Sequence, residues 1–152
     1  AHGFTYAGNP LACATGLAVM QEIEAEGMID NAAHIGDLLK ARLQALSQRF
    51  EIIGDVRGKG LLLAFELVSD RDTMAPLPPG LNAYNRLVDI AHDNGLIIYG
   101  EGLEGDGLEG DHFLVCPPMI ATADHVDEII DVLTRSLAQF MDEITGKWPV
   151  AV

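Results

Sequence analysis

The segment Ile52-Ile-Gly-Asp-Val-Arg-Gly-Lys-Gly-Leu-Leu-Leu-Ala-Phe-Glu-Leu-Val68 carries two apolar runs around a short glycine-bearing stretch. The runs Ile52–Val56 and Leu61–Val68 have the length and composition of strands, and Arg57-Gly-Lys-Gly60 has the composition of a turn. The segment therefore predicts a β-hairpin. Its glycines do not match a P-loop, because the remaining glycine spacing and the following Ser or Thr are missing, so a tight turn is favoured over a phosphate-binding loop.

Helical patterns lie on both sides of this hairpin. Asn9 predicts a helix start, since its side chain can cap free amides of the first turn and the following Pro10 has no amide that needs a partner. Small side chains from Ala12 to Ala18 allow another backbone to approach, so this helix is expected to have a tight neighbour. Apolar residues at steps of three and four predict further helices. The predicted helices are Pro10 to about Glu26, Met28 to Phe50, Leu81–Asn94, and a last one that is capped by Thr122 and ends before Gly146.

Two short apolar runs, Leu96–Tyr99 and His112–Cys116, predict a second pair of strands. The glycine-rich acidic stretch Gly100–Asp111 between them predicts a flexible loop, and the prolines of Ser69–Gly80 predict a surface loop. The elements run as two helices, two strands, a helix, two strands and a helix. This order predicts an α+β fold in which a small antiparallel or mixed sheet is covered by helices.

Composition restricts the classes of partner. The chain has 152 residues and a mass of 16.3 kDa, about one domain, and 49% of its residues are hydrophobic. Nine Lys and Arg against 23 Asp and Glu give a net charge of 9 − 23 = −14, which repels phosphate backbones and anionic lipids. No nucleic acid and no membrane are therefore expected as partners. No apolar run approaches the ~18 residues of a membrane span and no signal peptide is visible, so a cytoplasmic protein is predicted.

The sequence contains few motifs that indicate a metal site or a catalytic nucleophile. Cys13 and Cys116 lie far apart with no CxxC spacing, and the histidines are dispersed without an HExxH pair. No GxSxG motif is present. The residues themselves therefore predict no metal site and no catalytic nucleophile.

A set of short motifs resembles a known family. His2-Gly-Phe-Thr-Tyr-Ala-Gly-Asn-Pro-Leu-Ala-Cys-Ala14 resembles the motif through which class III aminotransferases pass from the cofactor-binding domain into the carboxy-terminal small domain. The resemblance covers almost the whole chain and implies the small domain of a fold-type-I, pyridoxal-phosphate-dependent transferase. Further motifs that follow in the family's order are Gly54-Asp-Val-Arg-Gly-Lys-Gly-Leu61, Asp93-Asn-Gly-Leu96, Gly110-Asp111 and Cys116-Pro-Pro-Met-Ile120.

The resemblance implies a cofactor contact in the opening loop. Thr5 would give its hydroxyl to the phosphate of pyridoxal 5'-phosphate, which is bound mainly by the other subunit of a homodimer with shared active sites, and Phe4 would be a neighbouring contact. A loop that contains Gly3 and Gly8 can bring amides and a hydroxyl close to an anion. Without the surrounding motif, the residues alone favour a Thr5 that only caps or braces its own loop.

The resemblance also implies two residues on the substrate side of the small domain, Arg57 and Tyr99. Arg57 would lie near the active-site side, where ordering the wall is favoured over meeting a carboxylate. Tyr99 and Leu114 occupy positions at which some family members carry an arginine that grips a substrate carboxylate. A bidentate carboxylate clamp is therefore not expected from these two positions.

Amino transfer with this cofactor needs a lysine that forms the Schiff base. Lys40, Lys59 and Lys147 all lack the strand-end context suited to a buried amine, and in the family that lysine precedes the segment represented here. The implied protein is the carboxy-terminal part of an aminotransferase, inactive alone, that moves an amino group from an amine or ω-amino acid to a 2-oxo acid such as pyruvate. The alternatives are an aminomutase of the same family and a non-catalytic α+β interaction module.

The implied division of the chain has four parts. They are a phosphate-contacting loop from the large domain (residues 1–9), interdomain and small-domain helices (10–50), the carboxy-terminal α+β small domain (51–146) and a tail (147–152).

Overall fold

The computed structural model describes residues 3–103 and 110–145. Within those residues it contains four helices, four strands and one short 3-10 turn at Pro79–Leu81. The predicted α+β class is confirmed. In chain order the elements are α1 (Pro10–Ala25), α2 (Met28–Arg49), β1 (Ile53–Lys59), β2 (Leu62–Leu67), α3 (Ala83–Asp93), β3 (Tyr99–Leu103), β4 (Gly110–Val115) and α4 (Ala123–Thr145).

The strands form one antiparallel sheet in the order β1-β2-β4-β3, so β1 and β3 are its edges. Burial alternates along β2, where Leu63, Phe65 and Leu67 are buried and the residues between them are not. Phe65 packs against Phe113 of β4 with ring centroids 5.0 Å apart. Since successive side chains of a strand point to opposite faces, the sheet has a core face and an outer face.

The helices α2 and α3 cover the core face, and α4 packs against both of them. The spacing of three and four along α2 buries Ile35, Leu39, Leu43 and Leu46, as predicted. From α2, the Asn31 side chain donates hydrogen bonds to the backbone oxygens of Met119 and Ala121, which ties α2 to the segment before α4. Other fully buried side chains of the core are Leu87 and Ile90 of α3 and Leu133, Leu137 and Phe140 of α4.

The turn of the hairpin differs from the prediction. β1 continues through Arg57 to Lys59, which pairs with Leu62, so only Gly60 and Leu61 form the turn. Gly60 has a φ of +55°, and a positive φ at the first of two central residues is what a type II′ hairpin turn requires. Arg57 is therefore a strand residue with cross-strand neighbours.

The second strand pair is also displaced from the prediction. β3 begins at Tyr99, the last residue of the predicted strand, and extends through Gly100 to Leu103 in the segment predicted to be a loop. A Cβ on Gly100 would lie 1.9 Å from the backbone oxygen of His112, so glycine permits close pairing of β3 with β4. Residues 104–109 of the predicted loop and the predicted tail 147–152 lie outside the described residues.

The third helix begins at Ala83, two residues after the predicted start at Leu81. Leu81 lies in the 3-10 turn, and Asn82, with a φ of +47°, separates that turn from α3. Asp111 of β4 accepts a hydrogen bond from the backbone amide of Tyr84 and so caps the first turn of α3. Gly95 ends the helix with a φ of +94°, as predicted.

Candidate functional site

The opening loop, residues 3–9, forms two consecutive turns before α1. The amide of Ala7 donates to the carbonyl of Phe4, and that of Asn9 donates to the carbonyl of Tyr6. Gly8 has a φ of +75°, and the Asn9 side chain then accepts from the amide of Ala12 at 3.1 Å, which is the predicted helix cap. The loop is thereby held at the amino end of α1.

The side chains of this loop face outward. Phe4 and Tyr6 are 71% and 81% exposed, and Thr5 is exposed as well. Within the described residues, the Thr5 hydroxyl makes no hydrogen bond, so it is not used as a cap or brace there. The chain has no lysine or arginine before Lys40. The loop thus offers only neutral donors to an anion.

The other two predicted site residues lie on the outer face of the sheet. Arg57 is opposite Ala64, Ala64 is opposite Leu114, and Leu114 is opposite Tyr99. Residues that are directly opposite in an antiparallel pair share a face, so these four form one row across the sheet. Three interstrand spacings put Arg57 and Tyr99 about 14 Å apart, at opposite edges. No hydrogen bond links Thr5 to either of them in the described part of the chain.

Arg57 is held in place by two carboxylates. Its Nη1 donates to Asp55 at 2.8 Å and to Glu66 at 2.7 Å. The hydrogen bond to Asp55, followed by the one to Glu66, raises the pKa of the guanidinium above its ordinary value. Both contacts use the same nitrogen, so Nε and Nη2 keep their protons available within the described structure. The arrangement orients Arg57 and still lets it receive a third anion.

Glu66 and His112 lie next to this row and were not predicted from the sequence as site residues. Glu66 pairs with Asp55 on one side and with His112 on the other. The Nδ1 atom of His112 is buried and has no hydrogen-bond partner among residues 3–103 and 110–145. A signal was present in the alternation of β2, where Glu66 lies between two core residues, but the neighbours of Glu66 follow only from the strand register.

The described lysines lack the environment of a reactive amine. Lys40 donates from Nζ to the carbonyl of Gly58 at 3.2 Å in an exposed contact, and Lys59 is an exposed residue at the end of β1. Lys147 lies outside the described residues. Neither described lysine is buried, whereas a lysine that acts as a nucleophile commonly lies in an apolar pocket.

Comparison with known proteins shows the family. A family model described as aminotransferase class-III matches residues 1–137, which include the opening loop, α1 and the whole sheet. The chain belongs to the class III aminotransferases. The family resemblance based on the short motifs is therefore confirmed, and the chain's relatives and structural neighbours agree with it.

Three similar proteins illustrate the range of the family. Human mitochondrial alanine–glyoxylate aminotransferase 2 is 34% identical over 141 residues, 93% of this chain and 26% of its own length. A leucine/methionine racemase of Thermococcus litoralis is 35% identical over 148 residues, 95% of this chain and 30% of its own. The structure of an amine transaminase from an uncultivated Pseudomonas species, in its PLP-bound form, is 37% identical with a TM-score of 0.79 and covers 91% of this chain and 29% of that one.

This class III aminotransferase chain spans less than a third of the length of these three proteins. Among residues 3–103 and 110–145, none of the helices combines the length and the hydropathy of a membrane span. No cluster of metal-binding side chains occurs in the same part of the chain. Because the human relative is mitochondrial by name, the cytoplasmic location of this chain stays a prediction.

Proposed function

We propose that this chain is the carboxy-terminal part of a pyridoxal-phosphate-dependent aminotransferase that moves an amino group from an amine or an ω-amino acid to a 2-oxo acid such as pyruvate. The observation that carries the proposal is the family match over residues 1–137, which includes the exposed loop with Thr5. The names of similar proteins support the substrate classes, since one pairs alanine with glyoxylate, a 2-oxo acid, and another is an amine transaminase.

The opening loop fits the cofactor phosphate as a secondary contact. Thr5 has an exposed hydroxyl, and space around Gly3 and Gly8 lets an anion approach the backbone, since a Cβ at either glycine would meet nothing within 4 Å. With no cation before Lys40, this loop supplies hydrogen bonds and leaves the charge of the phosphate to be balanced by the other subunit. Phe4 would flank the same group. When bound, pyridoxal phosphate supplies the electron sink for amino transfer.

The outer face of the sheet would be the wall that this chain contributes on the substrate side. Arg57, oriented by Asp55 and Glu66, keeps Nε and Nη2 for a carboxylate, and Tyr99 is 68% exposed at the other edge. Ala64 and Leu114 between them form an uncharged strip. We assign Arg57 to orienting that wall and meeting a carboxylate, and Tyr99 to the contact with the substrate side chain.

The reactive lysine would come from polypeptide beyond this chain, because the described lysines are solvated. Mixing the 152-residue chain with pyridoxal phosphate, an amine donor and pyruvate should therefore give neither alanine nor a borohydride-trapped lysine adduct at one site. The complete enzyme should give both. Turnover by the chain alone would overturn the assignment as a non-catalytic part, and a complete enzyme that binds the cofactor but makes no alanine would overturn the acceptor class.

Replacing Thr5 with valine in the complete enzyme should weaken retention of pyridoxal phosphate about 10- to 100-fold, because it removes one hydrogen bond to a charged group while preserving shape. The dissociation constant is measured by equilibrium dialysis of the apoenzyme. Thr5→Ser keeps the hydroxyl and should stay close to the original affinity. Equal affinity of the valine and serine variants would remove Thr5 from the phosphate site.

Replacing Tyr99 with arginine should shift donor preference toward amines that carry a carboxylate. An unpaired guanidinium at that exposed edge can form a bidentate pair, so kcat/KM for an ω-amino acid relative to a neutral amine should rise about 10-fold or more. Leu62→Arg is the matched control, since Leu62 is 64% exposed on the same face and belongs to another strand. A similar rise in both variants would show a general charge effect and would contradict the role of Tyr99.

Racemisation is the second candidate function, because leucine/methionine and alanine/serine racemases are among the relatives at 35% and 32% identity. The complete enzyme, incubated with a single amino-acid enantiomer and no 2-oxo acid, would accumulate the opposite enantiomer if it were a racemase. Family membership argues against the free-standing interaction module, and no observation favours the aminomutase.

The proposal includes a homodimer in which the loop of residues 3–9 reaches the cofactor held mainly by the partner subunit. The outward orientation of Phe4, Thr5 and Tyr6 supports a contact outside this chain's own fold. The proposal also keeps the four-part division of the chain into the loop (residues 1–9), the interdomain and small-domain helices (10–50), the small domain (51–146) and the tail (147–152). It further includes a cytoplasmic location.

A further inference from the structure

Helix α1 has almost no packing within the described fold. Every one of its residues is exposed except Ile23, which is half-buried near the end where α1 meets α2. Helices in proteins are stabilised mainly by packing of an apolar face, and α1 has no such face covered here. It nevertheless contains large apolar side chains that are 53% to 76% exposed, namely Leu11, Leu17, Val19 and Met20.

These four side chains point around the whole circumference of α1. At 3.6 residues per turn, Val19, Met20 and Leu17 lie about 80°, 180° and 240° from Leu11. A helix that rests on one neighbour is apolar along one stripe, whereas a helix that is apolar all round is buried. The acidic residues Glu22 and Glu24 come only in the last turn. The first three turns therefore need cover on every side.

We infer that α1 lies in an apolar groove formed by the part of the aminotransferase polypeptide that this chain does not include. The inference rests on the proposed function and on length, since the similar proteins are more than three times as long as the segment they share with this chain. A second copy of this chain could cover one stripe of α1 only and would leave the opposite side chains in water. The exposed Phe4 and Tyr6 continue the same apolar surface into the preceding loop.

Thiol labelling tests this enclosure without using activity. Cys13 lies on α1 and is exposed, as is Cys116. In a Cys116→Ser background, Cys13 of the chain alone should react with a maleimide at the rate of an unprotected thiol. In the complete enzyme its rate should fall about 100-fold or more, because labelling then requires local opening. A cysteine introduced as Gln48→Cys on the exposed side of α2, with Cys13→Ser, should react equally in both proteins.

Unchanged Cys13 reactivity in the complete enzyme would overturn the inference. Protection that appears in the chain alone and increases with its concentration would also overturn it, because a second copy would then be the occupant. Since labelling needs no substrate, a complete enzyme that protects Cys13 but lacks aminotransferase activity would contradict the proposed function and leave the enclosure of α1 supported.

A pair of glutamine variants gives an independent readout. Leu17→Gln and Ala45→Gln both replace an exposed helical residue of the described structure, so both should leave the unfolding midpoint of the chain alone unchanged. In the complete enzyme, Leu17→Gln should lower the unfolding midpoint and Ala45→Gln should not. Equal midpoints for the two variants in the complete enzyme would contradict the groove.

Discussion

Replacing Gly36 with alanine is expected to destabilise the chain more than any other single methyl addition in α2. Gly36 is buried, and a Cβ there would lie 2.3 Å from both the carbonyl carbon and the carbonyl oxygen of Gly60. These are backbone atoms of the hairpin turn, so no side chain can rotate away, and α2 would have to separate from the sheet. Overpacking of this kind costs about 1–3 kcal/mol or more, which exceeds the ~1 kcal/mol that alanine adds in helix propensity.

Urea unfolding followed by circular dichroism measures this effect. Gly16→Ala in α1 is the matched control, since it makes the same change in a helix but a Cβ there would meet nothing within 4 Å. That variant should be neutral or more stable by about 0.5–1 kcal/mol. If both alanine variants unfold at the same urea concentration, the contact between Gly36 and Gly60 is not as close as described.

The contact of Gly36 illustrates what the sequence could predict and what it could not. Steps of three and four identified the buried face of α2, because the helix period depends only on local geometry. The place where α2 meets the hairpin depends on the position of the turn. That turn was predicted at Arg57–Gly60, and in the structure it consists of Gly60 and Leu61 because β1 pairs through Lys59. The close approach of Gly36 to Gly60 could therefore not be predicted from the sequence of α2 alone.

The same limit applies to the edge strand β3. Gly100 and its neighbours have low strand propensity, so the local pattern favoured a loop. Pairing with β4 prevails over that preference, and the missing Cβ of Gly100 is what allows the backbones to approach. Long-range pairing of this kind leaves little mark on the sequence of the weaker strand.

The candidate site shows a further division. The cap at Asn9 and the glycines of the opening loop follow from local chemistry. The assignment of Thr5 as a contact of the cofactor phosphate came from the family resemblance. Arg57 and Tyr99 are 42 positions apart, and only the strand register shows that they share a face. The carboxylates that hold Arg57 depend on the same register. No window of sequence contains that information.

Arg71 was included in the sequence-predicted surface loop, yet its guanidinium is half-buried against the end of α2. Its Nη2 donates to the carbonyl oxygens of Ser47, Phe50 and Ile53, and its Nε donates to Ile53 at 3.0 Å. The last carbonyl groups of a helix lack partners within the helix, and a cation near that end is favourable. Arg71 thus fixes the loop of residues 69–80 to the junction between α2 and β1.

Arg71→Met should therefore lower the free energy of unfolding by about 2–3 kcal/mol, because it removes the charge-assisted hydrogen bonds that the partly buried carbonyl oxygens of Ser47, Phe50 and Ile53 accept. Arg71→Lys should recover only part of the loss, since one ammonium cannot reproduce the planar fork. The matched control is Arg42→Met, which breaks an ion pair with Asp127 whose side chains are 52% and 62% exposed, and which should change the free energy by about 1 kcal/mol or less. All variants are compared by urea unfolding at neutral pH. Equal losses for Arg71→Met and Arg42→Met would show that the three carbonyl contacts contribute no more than a surface ion pair, and Arg71 would then be an ordinary loop residue.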